Sequence, residues 1–314
     1  MSGETRVLDE GCCFMKEIGG YFELDPGGGD TPLPNGVLLN SGRNALRHIV
    51  RQLKVKSIWV PDYTCPVVWD ALKAEKCELR FYSIGMDMLP TEKLPRNDFV
   101  LYTNYFGCCG KNVEMLAAEY PNLIVDCAQA YHAQPKGRAS FYSPRKFFGV
   151  ADGGIAFGVE SADYEQDDSS VRQAHLLVRK EKGAAAGYSL FQAAEESLVG
   201  APIRRMSSKT VVALQKVDTA TSIKRRRANF AFLLERLQPS FPFAFADDDV
   251  PMVYPYVTDD VALRSRLVTK NIYVAKYWSG LPRAATALAE RIVPLTIDQR
   301  YGDEDMAIIS RYVS

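Results

Sequence analysis

Three short stretches hold residues able to do chemistry together. In Ser143-Pro144-Arg145-Lys146-Phe147-Phe148-Gly149-Val150-Ala151-Asp152-Gly153-Gly154, a lysine is followed by apolar residues and then by a double glycine ahead of a new strand. Apolar surroundings disfavour the ammonium form and make a lysine a usable amine nucleophile. The glycines permit a tight turn or a close approach of backbone to ligand. The same stretch also reads as one surface lysine followed by a loop. In Asp126-Cys127-Ala128-Gln129-Ala130, the carboxylate follows the apolar run Leu123-Ile124-Val125. Open α/β sheets bind ligands beyond the carboxyl ends of their strands, and a carboxylate there can pair with a protonated heterocyclic nitrogen. Taken alone, Asp126 is equally a helix N-cap or a loop ion pair. The third stretch, Asn40-Ser41-Gly42-Arg43-Asn44-Ala45-Leu46, puts a hydroxyl residue and a glycine at a helix start. The free N–H groups and the dipole of such a start suit a phosphate, although a serine there is more often only a cap.

The elements that must position these residues alternate in period. VLLNSGRNALRHIVRQL reads as a helix entry followed by an amphipathic helix with Ala45, Ile49, Val50 and Leu53 on one face. Short β-branched and aromatic runs follow: SIWVPDY, LRFYSIG, DFVLYTNYFG, NLIVDCAQA, RASFYS and GGIAFGV. Helical stretches such as CPVVWDALKAEK and KNVEMLAAEY lie between them. Strands alternating with helices predict an α/β fold with a mostly parallel sheet covered on both faces, the last strands admitting an antiparallel member. Residues 170–240 turn helical, and the last third reads as a small α+β unit with a strand-like VPMVYPYV, a helix-like DDVALRSRLVTKN, a strand-like IYVAKYW and a terminal helix. The expected division is a large domain over 1–230, with an N-terminal arm and Gly/Pro-rich loop over 1–35, and a small C-terminal domain over 231–314.

Composition narrows the function classes. The 314 residues hold 38 Lys+Arg against 38 Asp+Glu, which gives no long-range pull toward nucleic acid or anionic lipid. No apolar run is long enough to span a bilayer, and the N-terminus lacks the apolar stretch of a signal peptide. Seven cysteines, an odd number with Cys12-Cys13 and Cys108-Cys109 adjacent, form no disulfide framework and suit a reducing, cytoplasmic setting. The three histidines, His48, His132 and His175, show no metal-ligand spacing, so no metal site is expected. The basic run Lys224-Arg225-Arg226-Arg227 falls in an amphipathic helix and reads as a solvated face or a subunit contact.

Taken in order, these motifs resemble the DegT/DnrJ/EryC1/StrS family of aminotransferases that use pyridoxal 5'-phosphate (PLP) and act on sugar nucleotides. The chain has Ser41-Gly42 with Ala45-Leu46, Pro61-Asp62-Tyr63-Thr64, Asp126 to Ala130, Ser143 to Lys146 with Gly153-Gly154, Arg205-Met206-Ser207, and Pro294 through Tyr301. The resemblance runs over nearly the whole chain and implies PLP fold type I, the aspartate-aminotransferase-like fold. It implies Lys146 as the residue that binds the cofactor covalently and Asp126 as the partner of the pyridinium nitrogen. Gln129 would sit near the ring's phenolic oxygen, and Ser41, Gly42, Arg43 and Ser143 would hold the phosphate. It also implies a homodimer, a sugar-nucleotide substrate with glutamate as amino donor, and a role in polysaccharide or secondary-metabolite synthesis.

The chain departs from the family pattern along the walls of this site. Cys65 stands where an aromatic stacks on the ring, Asn104 where a histidine is common, and Tyr131-His132 where a glycine is usual. Ile203 replaces an asparagine that reaches the neighbouring subunit's phosphate, and the loop between Asp126 and Lys146 is short. Cys65 and Asn104 therefore join the expected cofactor contacts, with His132 as a compensating ring-facing or acid–base group or else a loop histidine bonded to backbone. Two alternatives stay open: another PLP-dependent reaction on a sugar or amino acid, and a regulatory or binding protein that keeps the fold without the catalysis.

Overall fold

The computed structural model of the chain describes residues 16–24, 27–237, 245–278 and 280–313. The paired cysteines Cys12 and Cys13 lie outside the described residues.

Each of the six expected strands of the first half forms, and a seventh, at residues 37–39, forms where the sequence reads as a helix entry. The strands are β1 (Val37–Leu39), β2 (Ser57–Pro61), β3 (Glu78–Tyr82), β4 (Phe99–Thr103), β5 (Leu123–Asp126), β6 (Ala139–Tyr142) and β7 (Gly154–Phe157). They build one seven-stranded sheet in the order β1-β7-β6-β5-β4-β2-β3. Strands β2 to β6 run parallel, and β7 lies antiparallel to both β6 and β1. The side-chain period of two separates the strands' apolar residues into two buried layers. Leu101, Ile124, Phe141 and Ala156 pack with Leu46 and Ile49 of helix α1 (Gly42–Gln52) and Leu72 of α2 (Pro66–Ala74). Val100, Tyr102, Val125 and Tyr142 face the other way, toward Val113 and Leu116 of α3 (Gly110–Glu119) and much of the C-terminal part.

After β7 come α4 (Ala174–Lys182), α5 (Ala184–Glu196), α6 (Ser208–Gln215) and the long α7 (Thr219–Arg236). The C-terminal part has an antiparallel pair, β8 (Val253–Val257) with β9 (Ile292–Thr296), and helices α8 (Leu263–Thr269), α9 (Arg283–Arg291) and α10 (Asp303–Val313). The strand-like IYVAKYW contributes only Ile272–Tyr273, which pairs in parallel with Ile18–Gly19. The N-terminal arm thus packs against the C-terminal part, where Arg300 ties it down through Glu23 (2.7 Å) and the Tyr21 carbonyl (3.1 Å).

Helix α7 corrects the reading of its basic run. Ser222, Arg226, Asn229, Phe230 and Leu233 form its buried stripe, so Arg226 points inward while Lys224, Arg225 and Arg227 stay exposed. Asn229 Nδ2 donates to the carbonyls of Ile297 (3.1 Å) and Tyr301 (3.0 Å), fixing the C-terminal Pro294–Tyr301 motif against the helix.

Candidate active site

The carboxyl ends of β2, β5 and β6 and the start of α1 open onto one cavity of about 920 Å³. Ser41, Gly42, Arg43, Cys65, Asp126, Ser143 and Lys146 all line it, although they come from four separate stretches of chain. Asn104 and Gln129 are not among its lining residues.

Asp126 ends β5 and is buried, with Oδ1 accepting the Ala128 N–H at 2.8 Å. Its other oxygen has no hydrogen-bond partner among the described residues. Burial pushes the carboxyl above its ordinary range, while Lys146 and the Ala128 N–H act in the opposite sense. Lys146 closes a single 3₁₀ turn, Pro144–Lys146. Here the structure departs from the expected apolar surround. Phe147 and Phe148 are buried, but the Lys146 side chain is exposed in the cavity and makes no hydrogen bond or ion pair among the described residues. The charges that act there are carboxylates, Asp126 and Glu195.

The helix start is built by close packing. Ser41 caps α1, its Oγ accepting the Asn44 N–H at 3.2 Å. A Cβ on Gly42 would lie 3.3 Å from Ser143 Cβ, so the glycine brings the helix start up to the lysine turn. A Cβ on Gly154 would lie 2.1 Å from the Ser41 carbonyl oxygen, a position only glycine allows. Asp152, next to this double glycine, is buried and accepts the Ser207 N–H (2.8 Å) and Oγ–H (2.7 Å). The Arg205-Met206-Ser207 segment is thereby anchored to the same turn.

Other departures from the family pattern resolve structurally. Cys65 stands at the N-cap position of α2, at the cavity wall and without a side-chain capping bond, and burial pushes its thiol up against the opposing influence of Lys146. Asn104 turns away from the cavity and accepts the Cys109 N–H (3.0 Å), holding the start of α3. Gln129 Oε1 accepts the Phe106 N–H (2.8 Å), which leaves Nε2 buried and without a protein partner. His132 does not line the cavity. It packs edge-on against Phe147 and Phe148, its Nε2 is 3.4 Å from Ser222 Oγ, and burial pulls it down to about 3. Ile203 is buried in its own chain's core, and Arg204 and Arg205 are engaged by Glu165 (3.4 Å) and the Tyr164 carbonyl (2.9 Å). Cys108 and Cys109 are buried, and burial pushes both thiols up, the behaviour of cysteine used as a small hydrophobe.

Sequence reasoning missed five contributors to the cavity: Arg145, His175, Glu195, Arg226 and Tyr277. Glu195 of α5 pairs with Arg145 and with Arg43 (3.4 Å). Arg226 is fully buried, with Nε donating to Gln299 Oε1 and Nη1 to the Met252 carbonyl, both at 3.0 Å, and its plane 4.6 Å from the Phe147 ring centre. Burial pulls it down to about 10, with Asp298 acting to raise it. Tyr277 and His175 complete the wall; burial and then Arg145 bring His175 down to about 4. Arg145 alone had a signal, its place beside Lys146. The others lie far from any motif and meet it only through the fold.

No protein-family model matches the sequence, and no curated protein matches it. Solved structures match its fold. DesV of S. venezuelae, in complex with a ketimine intermediate, is 19% identical over 88% of this chain and 83% of its own, with a TM-score of 0.60. The PLP form of a Streptococcus pneumoniae protein described as a sugar aminotransferase is 16% identical over 88% and 86%, with a TM-score of 0.62. A DegT/DnrJ/EryC1/StrS aminotransferase from Brucella abortus is 13% identical over 90% and 85%, with a TM-score of 0.56. The chain has the fold these aminotransferases share, PLP fold type I. Among the described residues, no helix is long and apolar enough to cross a membrane and no cluster of His, Cys, Asp and Glu is arranged to hold a metal.

Proposed function

We propose that this protein is a PLP-dependent aminotransferase that moves an amino group, from glutamate, to a keto-sugar nucleotide. The observation that carries the reading is the convergence of Lys146, Asp126 and the Ser41–Gly42/Ser143 cradle on one cavity. Its volume, about 920 Å³, is near the top of the usual range for a ligand pocket and suits a cofactor together with a sugar. The names of the neighbouring structures point the same way.

The residues fit the cofactor. The cradle at Gly42 and Gly154 is shaped by the absence of side chains, and Asp126 keeps one oxygen without a partner. Lys146 would hold the cofactor through Nζ, Asp126 would face its ring nitrogen, and Ser41, Gly42, Arg43 and Ser143 would hold its phosphate. When bound, PLP supplies an electron sink that stabilises negative charge at the carbon bearing the amine. Asp126, a buried carboxylate short of partners, favours a cation beside it and keeps that nitrogen protonated. Once the substrate's amine has displaced it from the cofactor, the Lys146 amine would carry a proton from the substrate's α-carbon to the cofactor's C4′ carbon, and the reverse with the acceptor. Buried Phe148 and Met252 and half-buried Tyr277 give the cavity an apolar side beside that transfer.

The reading includes a cytoplasmic homodimer, supported by the free state of the described cysteines and by the prevalence of two-fold oligomers. Light scattering on the PLP-loaded protein tests the dimer, and a monomer at micromolar concentration contradicts it. The reaction is tested by adding PLP to the purified protein, recording its absorbance, and then adding glutamate alone. Conversion to the pyridoxamine form with release of 2-oxoglutarate is expected; an unchanged spectrum with glutamate and with other amino acids overturns the assignment.

A further inference from the structure

Beside the cradle, two guanidinium groups share one carboxylate. Glu195 Oε1 pairs with Arg145, and Oε2 lies 3.4 Å from Arg43 Nη2. All three residues line the cavity together with Ser41, Gly42 and Ser143. The carboxylate does not satisfy them: Arg43 Nη1 and Arg145 Nε are buried N–H groups without a partner. Two guanidinium charges against the one Glu195 carboxylate leave a surplus of one positive charge, and nearby Lys146 is offset by Asp126. A phosphate group carries up to two charges and three strong acceptor oxygens, so it fits both the surplus charge and the vacant donors better than one carboxylate does.

Glu195 is also free to leave. It stands near the end of α5, whose chief packing partner is α4. Within the helix only Ala184, Gly187 and Ala194 are buried; Leu190 is exposed, and Tyr188 lines the cavity on the same face as Glu195. Displacing the carboxylate therefore opens no large core void.

We infer that the Arg43–Arg145 pair is a phosphate-binding seat whose resting occupant is the chain's own Glu195 carboxylate, and that a phosphate group binds by displacing it. Arg145 and Glu195 thereby set the affinity for phosphate-bearing ligands, Glu195 as an internal competitor. The seat stands independently for inorganic phosphate. The identity of its natural occupant, the cofactor's phosphate or a phosphate of the sugar nucleotide, rests on the function proposed above.

The test is calorimetric titration of the full chain and its E195Q, E195D and R145Q variants, with far-UV circular dichroism as a check on folding. The ligands are inorganic phosphate, PLP and unphosphorylated pyridoxal on the apoprotein, and uridine diphosphate on the PLP-loaded protein. E195Q removes the competing charge and keeps the shape, and should tighten inorganic phosphate roughly tenfold or more. E195D, which retains the charge, should stay close to wild type, and R145Q should weaken phosphate roughly tenfold or more. If the cofactor is the occupant, E195Q also tightens PLP and leaves pyridoxal unchanged; if the substrate is, E195Q tightens uridine diphosphate. Folded E195Q that binds phosphate no more tightly than wild type overturns the inference, because Glu195 then positions the arginines instead of competing with the ligand. Tightened inorganic phosphate with no PLP binding in any variant would instead defeat the cofactor reading and leave the seat standing.

Discussion

Gly154→Ala tests whether close backbone packing holds the cradle in place. Gly154 opens β7 opposite Leu39 of β1, and the Gly153 N–H beside it donates to the Asn40 carbonyl at 3.0 Å. A Cβ at position 154 would lie 2.1 Å from the Ser41 carbonyl oxygen, 2.2 Å from its carbon and 2.7 Å from Gly42 N. All three are backbone atoms, so no rotamer change relieves the clash and the start of α1 must move by about an ångström. Overpacking costs about 1–3 kcal/mol, and a rigid backbone clash belongs at the upper end, about 3 kcal/mol. At an unfolding entropy of about 2 cal/mol/K per residue, that lowers Tm by about 5 °C in a chain of this length. Differential scanning calorimetry and PLP titration would be run side by side, with Gly200→Ala as the control. A Cβ at Gly200 meets nothing within 4 Å, and its φ of +69° leaves only the conformational cost of about 1–2 kcal/mol with no effect on PLP. If Gly154→Ala melts within a degree of wild type and binds PLP equally well, the contact between β7 and Ser41 is not what shapes the site.

Three further outcomes are expected. Ser143→Ala should weaken PLP by about 1–3 kcal/mol, the loss of a hydrogen bond to a charged group, and equal dissociation constants would show that the phosphate lies elsewhere. Asp126→Ala should leave a folded protein by circular dichroism while the glutamate half-reaction falls by roughly a hundredfold or more; near wild-type turnover would make Asp126 merely structural. His175 is held at about 4 in the fold against 6.5 ordinarily, first by burial and then by Arg145. The unfolded chain therefore binds the extra proton between those values, so this contribution is present above pH 6.5 and is lost as pH falls toward 4. Urea midpoints measured from pH 7 to pH 4 should fall less steeply in His175→Gln than in wild type, and parallel curves would show that His175 does not titrate as described.

The strands were legible because each is a short apolar run closed by a turn, and a run such as Val100-Leu101-Tyr102 sends successive side chains into the two opposite cores of a sheet buried on both faces. An antiparallel member among the last strands was allowed for by the loop between RASFYS and GGIAFGV, and β7 is that member. By contrast, α9 and β9 share one unbroken stretch, and their boundary at Arg291–Ile292 carries no glycine or proline to mark it. In the site, Lys146, Asp126 and Ser41 stood out because each follows a strand end or opens a helix, where position in sequence determines position in the fold. Arg226 did not, since its run of basic residues looks solvated and only the helical period of Ser222, Arg226 and Asn229 turns one arginine inward. Asn104 misled for the opposite reason: it directly follows β4, yet its side chain closes the start of α3 and not the cavity. Glu195 had no signal at all, because its partners are 152 and 50 residues away in sequence.

The most direct test of the proposed activity is covalent. Lys146 is the lysine that lines the cavity with Asp126 and the cradle. The protein would be loaded with PLP, reduced with borohydride, digested, and its peptides mapped by mass spectrometry. The account predicts a pyridoxyl group on Lys146 in near-stoichiometric yield and none on Lys146→Ala. A label on a different lysine, or no label on a protein that is folded and saturated with PLP, would contradict it.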